Sequence, residues 1–335
     1  MVDQKTELRI VAIGGGTGLP VVLEGLKDYT NNLTAIVTVT DSGRSSGLIR
    51  KDLGIPPPGD IRNCLVALSE SEELMLRLFN YRFERSDNLR GHSFGNLFIA
   101  AMTMITGSFE KAIEEISKIL KIKGRVIPSS LENVHICAEL VDGTVIREED
   151  NIIQREGNVL GRPPIKKVYL EPIQTHATPR AIEEIRQADI IILGPGSLYT
   201  SVISNLLVKG IPEAIRESSA KKVYLCNVMT QVCQTHNYKA SDHIKVINQY
   251  LGEGILDYII VNGKRPPEAV IRNYEDEFAF LVEIDNDRLN QYGIKIIKAD
   301  LIEEMPEARR LWKKRDSLRH DSQKVGKVLL EILER

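Results

Sequence analysis

Several short segments of the chain combine glycine with polar side chains, a composition that suits the binding of a phosphorylated ligand. The first consists of Gly14, Gly15, Gly16, Thr17 and Gly18, directly after an apolar run. Glycines let the backbone approach a phosphate closely, and the amides at a helix N-terminus carry a partial positive charge. A tight turn without a ligand is the alternative. The third glycine of a dinucleotide fingerprint would fall on Leu19, and no P-loop Gly-Lys-Ser/Thr follows.

A second polar segment follows the next apolar run and consists of Asp41, Ser42, Gly43, Arg44, Ser45 and Ser46. Asp41 takes the position at which dinucleotide enzymes often hold a ribose-binding acid. The arginine and the serines suit an anionic group instead, because a guanidinium forms charge-assisted hydrogen bonds with phosphate or carboxylate. We therefore predict an anion site here, and a polar loop that caps a helix is the alternative.

Two further segments supply candidate site walls. Three prolines precede Gly59, Asp60, Arg62 and Asn63, and they stiffen the approach to a predicted helix start. Asp60 as a simple helix cap is the alternative there. The segment from Gly91 opens a helix and carries His92 and Asn96. His92 is a candidate proton donor or phosphate ligand, with a capping or core histidine as the alternative.

A second glycine loop follows a later apolar run and contains Gly194, Pro195, Gly196 and Ser197. A polar turn after the next predicted strand adds Asn227, Thr230 and Gln231. The carboxyl ends of parallel strands meet at one edge of a sheet, which is where open α/β folds bind ligands. We therefore expect the two glycine loops to contact the same ligand.

The elements that would position these segments alternate between strand and helix. Leu8–Ile13, Leu33–Thr40 and Asp189–Leu193 are short apolar runs typical of buried parallel strands. Residues 60–120 have helical periodicity, no strand pattern interrupts them before Val134, and a hairpin pattern follows. We predict an α/β fold with a Rossmann-like parallel sheet, helices on both faces, a helical insertion and a small β-rich insertion.

The same pattern predicts a division of the chain. Residues 1–60 and 181–335 would form an α/β nucleotide-binding core, residues 61–133 a helical segment packed on that core, and residues 134–180 the β-rich insertion. Asp321 stands before the apolar-periodic Val325–Leu333 and is expected to cap a final helix.

Composition restricts the class of protein. The 335 residues include 44 basic and 46 acidic side chains, a net charge of −2 that argues against a general nucleic-acid binder. The N-terminus lacks a signal-peptide pattern, and the most apolar helical stretch, Leu97–Ile105, is too short to span a membrane. The four cysteines have neither metal-binding nor disulfide spacing. We expect a cytoplasmic protein without a membrane span or a metal site.

Taken together, the motifs resemble those of the YvcK family of bacterial gluconeogenesis factors, which is similar to the 2-phospho-L-lactate transferases (CofD). The matching segments are GGGTGLP, TVTDSGRSSG, IPPPGDIRN, GHSFGN, GPGSLYTS and CNVMTQ, and Arg319-His320-Asp321 extends the similarity towards the C-terminus. Ser42 and Arg44 depart from this pattern, because many relatives have Asp and Gly there. The resemblance implies the α/β core that the two families share.

The resemblance also implies a function. A YvcK-like protein binds UDP-sugars, notably UDP-N-acetylglucosamine, and supports cell shape and cell-wall synthesis during gluconeogenic growth. The alternative is a CofD-like transferase that moves a phospho-lactate-type group from a nucleotide donor to an acceptor alcohol. In that case Asp41 or Asp60 would hold Mg²⁺. An NAD-dependent oxidoreductase is disfavoured by the missing third glycine.

The resemblance assigns two late residues, Tyr274 and Arg319, to the UDP-sugar. We expect Arg319 and the segment after Tyr274 to fold over the sheet edge as a lid, with a solvated helix from Arg309 to Arg319 as the alternative. The expected partner is a nucleotide-sugar or another phosphorylated small molecule. No cofactor is assigned, and whether the protein forms a homo-oligomer, has a regulatory protein partner or turns over a substrate stays open.

Overall fold

The structure is a computed structural model that describes residues 7–85, 89–153, 161–304 and 318–334, without the side chain of Arg44. Ten strands are found in these ranges, in chain order β1 to β10: Ile10–Gly14, Leu33–Val37, Arg125–Pro128, His135–Leu140, Val145–Arg147, Ile165–Glu171, Ile190–Leu193, Lys221–Leu225, Tyr258–Asn262 and Lys295–Ala299. Continuous apolar runs form the buried strands, because both faces of a parallel sheet are covered.

The described residues also contain fourteen α-helices, named α1 to α14 in chain order: Leu19–Leu26, Arg44–Leu53, Gly59–Leu68, Glu73–Asn80, Phe94–Thr106, Phe109–Ile119, Glu149–Ile153, Pro179–Arg186, Ser204–Leu206, Ile211–Glu217, Ala240–Leu251, Glu268–Glu275, Asn286–Gln291 and Ser322–Glu334. A π-helical turn, Leu198–Ile203, precedes α9. None of the described helices is both long and apolar enough to cross a membrane.

Seven of the strands form one parallel sheet in the order β10-β9-β8-β7-β1-β2-β3. The chain runs outward from β1 through β2 to β3, and then from β7 to β10 on the other side. The strand order therefore reverses between β1 and β7, at the switch point where ligands bind in open α/β sheets. The remaining strands form a small antiparallel sheet in the order β5-β4-β6.

Helices cover both faces of the large sheet. Successive residues of β1 point to opposite faces, so Val11 and Ile13 join one core cluster while Ile10 and Ala12 join the other. The first cluster includes residues of α8, α10, α11 and the small sheet. The second includes residues of α1, α3 and α14. The predicted α/β fold with a parallel sheet and a small β-rich insertion is confirmed.

One strand was not expected from the sequence. Residues 125–128 form β3, which pairs in parallel with β2 at the edge of the large sheet, so the expectation of no strand before Val134 is wrong. Four residues that end in a proline are too short to establish a period, and a proline is tolerated on an edge strand. The division into core, helical segment and insertion stays a prediction, and β3 brings part of the predicted helical segment into the large sheet.

Candidate functional site

The two glycine loops meet at the switch point, because β1 and β7 are neighbours and each loop follows the carboxyl end of its strand. A Cβ atom at Gly18 would lie 2.4 Å from the carbonyl oxygen of Pro195. The backbones therefore touch directly, and a larger residue at this position would push the loops apart. Whether the paired loops hold a ligand stays a prediction.

The first loop is held by two side chains of α3. Asp60 accepts a hydrogen bond of 2.7 Å from the amide of Gly16 through Oδ2, and Asn63 donates one of 3.4 Å to the carbonyl of Gly16. The interpretation of Asp60 as a simple helix cap is wrong, because Pro58 is the N-cap residue of α3 and the Asp60 carboxylate reaches across to the loop. The N–H and the C=O of one loop residue, Gly16, are thus both fixed by side chains of α3.

Arg62 lies behind this loop and is buried. It donates hydrogen bonds of 2.6 Å to Ser93 Oγ and to Asn63 Oδ1, while its Nε has no partner among the described residues. Burial lowers the pKa of Arg62 to about 10, with a smaller contribution from Arg82, so the guanidinium stays charged at neutral pH. A buried cation whose bonded partners are neutral is well suited to attract an anionic ligand.

A third group of polar side chains joins the start of α2 to the start of α5. Asn96 Nδ2 donates to the hydroxyls of Ser45 and Ser46 at 3.1 and 3.4 Å, and the Ser45 hydroxyl lies 3.2 Å from Nδ1 of His92. Asn96 is buried, and its Oδ1 has no partner in the described chain. In the preceding loop, Asp41 accepts from the amide of Gly43. The Arg44 side chain lies outside the described residues.

Three carboxyl groups converge beside the first loop. Asp41 lies against Gly59, where an added Cβ would be 2.5 Å from its Oδ2, and therefore next to Asp60. Burial and the Asp41 carboxylate raise the pKa of Asp60 to about 7, against the opposing effects of the Gly16 amide and Arg62. Burial, with Asp41 and Asp60, also raises the pKa of Glu149. Asp60 and Glu149 therefore take up protons more readily than exposed carboxyls, and a protonated carboxyl can donate a hydrogen bond.

The same acids are the groups that a divalent cation would require, because Mg²⁺ prefers carboxylate oxygens. Among the described residues, however, no set of three His, Cys, Asp or Glu side chains is arranged to hold a metal ion.

The second loop is held in the same way as the first. Asn227, at the end of β8, accepts from the amide of Gly196 at 3.1 Å and donates to its carbonyl at 2.8 Å. Gln231 donates to the hydroxyl of Ser197 at 3.1 Å. Thr230 turns away from the loop, because it exchanges hydrogen bonds with Phe280. Asn227 and Gln231 thus border the loop, and Thr230 supports the segment behind it.

Tyr274 and Arg319 lie farther along the same edge. Tyr274 is buried beside Met229, and its hydroxyl accepts a hydrogen bond of 3.1 Å from the amide of Leu318. Arg319 is exposed. Burial raises the pKa of Glu24 on α1, and the charge of Arg319 partly opposes this rise. The structure thus joins Tyr274 to the residue that precedes Arg319. Residues 309–317 of the predicted lid lie outside the described residues.

Four polar residues of the site were missed in the sequence. Ser93 caps α5 by accepting from the Asn96 amide, a pattern that the residue types indicate. Thr200 and Ser201 lie in the π-helical turn after the second loop; Thr200 is buried close to Glu149, and Ser201 faces Gly16. Such turns are frequent at functional sites. Glu149 has no local sequence feature that indicates its position.

Comparisons with known proteins match almost the whole chain. The sequence profile of the family described as 2-phospho-L-lactate transferase CofD matches residues 10–302. A gluconeogenesis factor from Bacillus subtilis is 46% identical over 97% of this chain and 98% of its own length. A gluconeogenesis factor from Halalkalibacterium halodurans is 47% identical over 96% of this chain and 95% of its own. A crystal structure of a UPF0052 family member from Bacillus halodurans is similar with a TM-score of 0.89 at 45% identity, covering 97% of this chain and 99% of that one.

Proposed function

The chain belongs to the CofD family, and we propose that it is a regulator of gluconeogenic growth that binds UDP-N-acetylglucosamine without consuming it. The observation that carries the proposal is the pair of touching glycine loops, each with one peptide fixed by a neighbouring side chain. The relatives named gluconeogenesis factor support the physiological role. Support of cell shape and wall synthesis is the finer part of the same proposal.

The paired loops suit a pyrophosphate. The amides of Gly16 and Gly196 already have side-chain partners, so the ligand's oxygens would take the first-turn amides that follow, near Thr17 and Ser197. The buried charge of Arg62 lies behind the first loop and adds long-range attraction for an anion. Rigid loops of this kind favour affinity, because little backbone entropy is lost on binding.

A CofD-like transferase is the second candidate, and the carboxyl group cluster favours it. In that function Asp41, Asp60 and Glu149 would be the residues that hold Mg²⁺, which supplies charge neutralisation for a phosphoryl group. A bound cation would favour the ionised forms of Asp60 and Glu149, whose pKa values burial raises in the free protein.

Calorimetry followed by product analysis separates the two functions. We expect UDP-N-acetylglucosamine to bind the protein in the presence of EDTA and to be recovered intact after prolonged incubation. A transferase would consume a nucleotide-linked phospho-acid when an acceptor alcohol and Mg²⁺ are supplied. If UDP-N-acetylglucosamine does not bind and the phospho-acid is turned over, the protein is a transferase and the proposal of a regulator is wrong.

A further inference from the structure

A cleft lies at the edge of the sheet where the strands have their carboxyl ends, beyond the glycine loops. It has a volume of 150 Å³ and lies where β8, β9 and β10 end. Its lining includes Asn227, whose side chain fixes the second glycine loop. The cleft is therefore continuous with the site of the proposed function. Strands in a sheet lie about 4.8 Å apart, so β9 is roughly 10 Å from β7.

One wall of this cleft is apolar and rigid. Val228 and Leu281 line it, and the two chain segments that carry them pair in antiparallel fashion between Met229 and Leu281. The amide of Val282 donates a hydrogen bond of 3.0 Å to the carbonyl of Val228. A flat ring would bury apolar surface against such a wall.

The lining of the cleft also includes three cationic side chains, and they differ in their partners. Lys264 bonds to Asp300 at 3.0 Å, and the Arg265 guanidinium bonds to Glu268 at 2.8 Å. The side chain of Lys298 forms no hydrogen bond or ion pair with any residue that the structure describes. Its aliphatic part lies along Gly263, where an added Cβ would be 2.7 Å from Lys298 Cγ. Among the described residues, no acidic side chain pairs with the Lys298 ammonium, unlike those of Lys264 and Arg265.

We propose that this cleft holds the nucleobase of the ligand and that Lys298 selects bases with a keto oxygen over bases with an amino group at the same edge. The inference rests on the proposed function, which places the pyrophosphate on the glycine loops. A ribose and a pyrophosphate bridge about the distance between β7 and β9. An ammonium group only donates hydrogen bonds, so it pairs with a carbonyl oxygen and meets an exocyclic amino group donor to donor.

UDP and CDP test this selectivity, because they share ribose and phosphates and differ along one edge of the base: uracil has O4 and N3–H, and cytosine has the N4 amino group and an unprotonated N3. A charge-assisted hydrogen bond to O4 predicts at least tenfold tighter binding of UDP. Lys298→Gln should weaken UDP about tenfold and bring the two nucleotides within about threefold of each other, since glutamine both donates and accepts. The matched control is Lys295→Gln on the same strand, whose ammonium lies over the Tyr258 ring.

The possible results are distinct. Preference for UDP in the wild type and in Lys295→Gln, lost in Lys298→Gln with an unchanged melting temperature, supports the inference. Equal binding of UDP and CDP by a wild type that binds UDP-N-acetylglucosamine overturns this inference alone. So does a preference that persists in Lys298→Gln. Absence of binding of every uridine nucleotide to the wild type overturns the inference together with the proposed function.

Discussion

The carboxylate of Asp60 accepts a hydrogen bond of 2.7 Å from the backbone amide of Gly16, a residue 44 positions earlier in the chain. The N–H of Gly16, in the loop on which a phosphate would lie, therefore already donates its hydrogen bond to an acidic group. A phosphate bound on this loop would lie close to the Asp60 carboxylate, and two negative charges repel each other strongly in a buried site. We therefore expect phosphate binding to be coupled to the protonation of Asp60, whose pKa is about 7.

We expect the affinity for UDP-N-acetylglucosamine to fall as the pH rises from 6 to 8. A bound pyrophosphate raises the pKa of Asp60 above its value of about 7 in the free protein, so the ligand prefers the protonated form. The affinity is then greatest below pH 7 and decreases about three- to tenfold above it, one pKa unit being equivalent to tenfold. Calorimetry at pH 6, 7 and 8 measures the slope.

Asp60→Asn is the control for this slope, because the amide oxygen can still accept from Gly16 but does not titrate. The variant should bind with nearly constant affinity between pH 6 and 8. If affinity instead rises with pH and requires Mg²⁺, the ionised carboxylates hold a cation and the transferase is favoured.

Glu149→Gln should gain stability relative to the wild type as the pH rises. Burial and the neighbouring carboxylates raise the folded-state pKa of Glu149. Its contribution to the free energy of unfolding is fully present below the unfolded pKa, near 4.5, and is lost as the pH rises through the folded-state value. We expect the variant to gain about 1 kcal/mol relative to wild type between pH 5 and pH 8 in urea unfolding.

The exposed neighbour Glu148 provides the comparison. Glu148→Gln changes the same charge on the same segment outside the carboxyl cluster. Its stability relative to wild type should differ little between the two pH values. Equal pH trends in both variants would mean that Glu149 is ionised in the folded protein without a cost in stability, against the raised pKa of this carboxyl.

Gly18→Ala should abolish binding of UDP-N-acetylglucosamine. The new methyl group would lie 2.4 Å from the Pro195 carbonyl oxygen, so the loops must separate. Gly254→Ala is the matched control, because Gly254 has φ +72° and open space around it. The control should lose about 1 kcal/mol of stability from backbone strain but keep its affinity. Full affinity in Gly18→Ala, measured by calorimetry, would show that the ligand does not require contact between the two loops.

Arg62→Lys should weaken binding about tenfold. Lysine keeps the positive charge but cannot bond to Ser93 and Asn63 together, so the support of the first loop is lost. Arg82→Lys is the control, since Arg82 is exposed and bonds to the carbonyl of Gly91. Calorimetry on both variants at one pH tests this prediction. Unchanged affinities in both would show that the hydrogen bonds of Arg62 do not contribute to ligand binding.

The sequence was informative where local pattern decides structure. Apolar runs located β1, β2 and β7. The two glycine loops were expected at the carboxyl ends of β1 and β7, where the structure has them. The predicted cap of the last helix is confirmed, because Asp321 accepts from the amide of Lys324. In these cases a short stretch of residue types is enough to specify the geometry.

Contacts between distant parts of the chain were not predictable in this way. The bond between Asn227 and Gly196 spans 31 residues, and the approach of Glu149 to Asp41 depends on how the small sheet packs on the large one. The sequence shows only that each residue is polar and near the end of an element. The topology of the fold decides which polar residues come into contact, and the local periodicity of the sequence contains no information on it.

The last prediction concerns Arg319, which the resemblance assigns to the ligand. Residues 318–321 are anchored on both sides, by the Tyr274 hydroxyl at the Leu318 amide and by Asp321 at the cap of α14. Arg319 is exposed between these anchors, near Glu24 of the helix that begins at the first glycine loop. We expect Arg319→Ala to bind UDP-N-acetylglucosamine at least tenfold more weakly, because one charge-assisted contact with the ligand is lost.

Limited trypsin digestion, with and without the ligand, distinguishes a closing segment from a surface helix. In the wild type, UDP-N-acetylglucosamine should protect the basic residues 309–319 from cleavage, since a lid becomes inaccessible when it closes. In Arg319→Ala the protection should be weaker at the same ligand saturation. Arg272→Ala, on neighbouring α12, serves as the control for a lost cation and should retain affinity and protection. Unchanged affinity and unchanged cleavage in Arg319→Ala would leave residues 309–319 without a part in binding, because a residue that only balances Glu24 affects neither measurement.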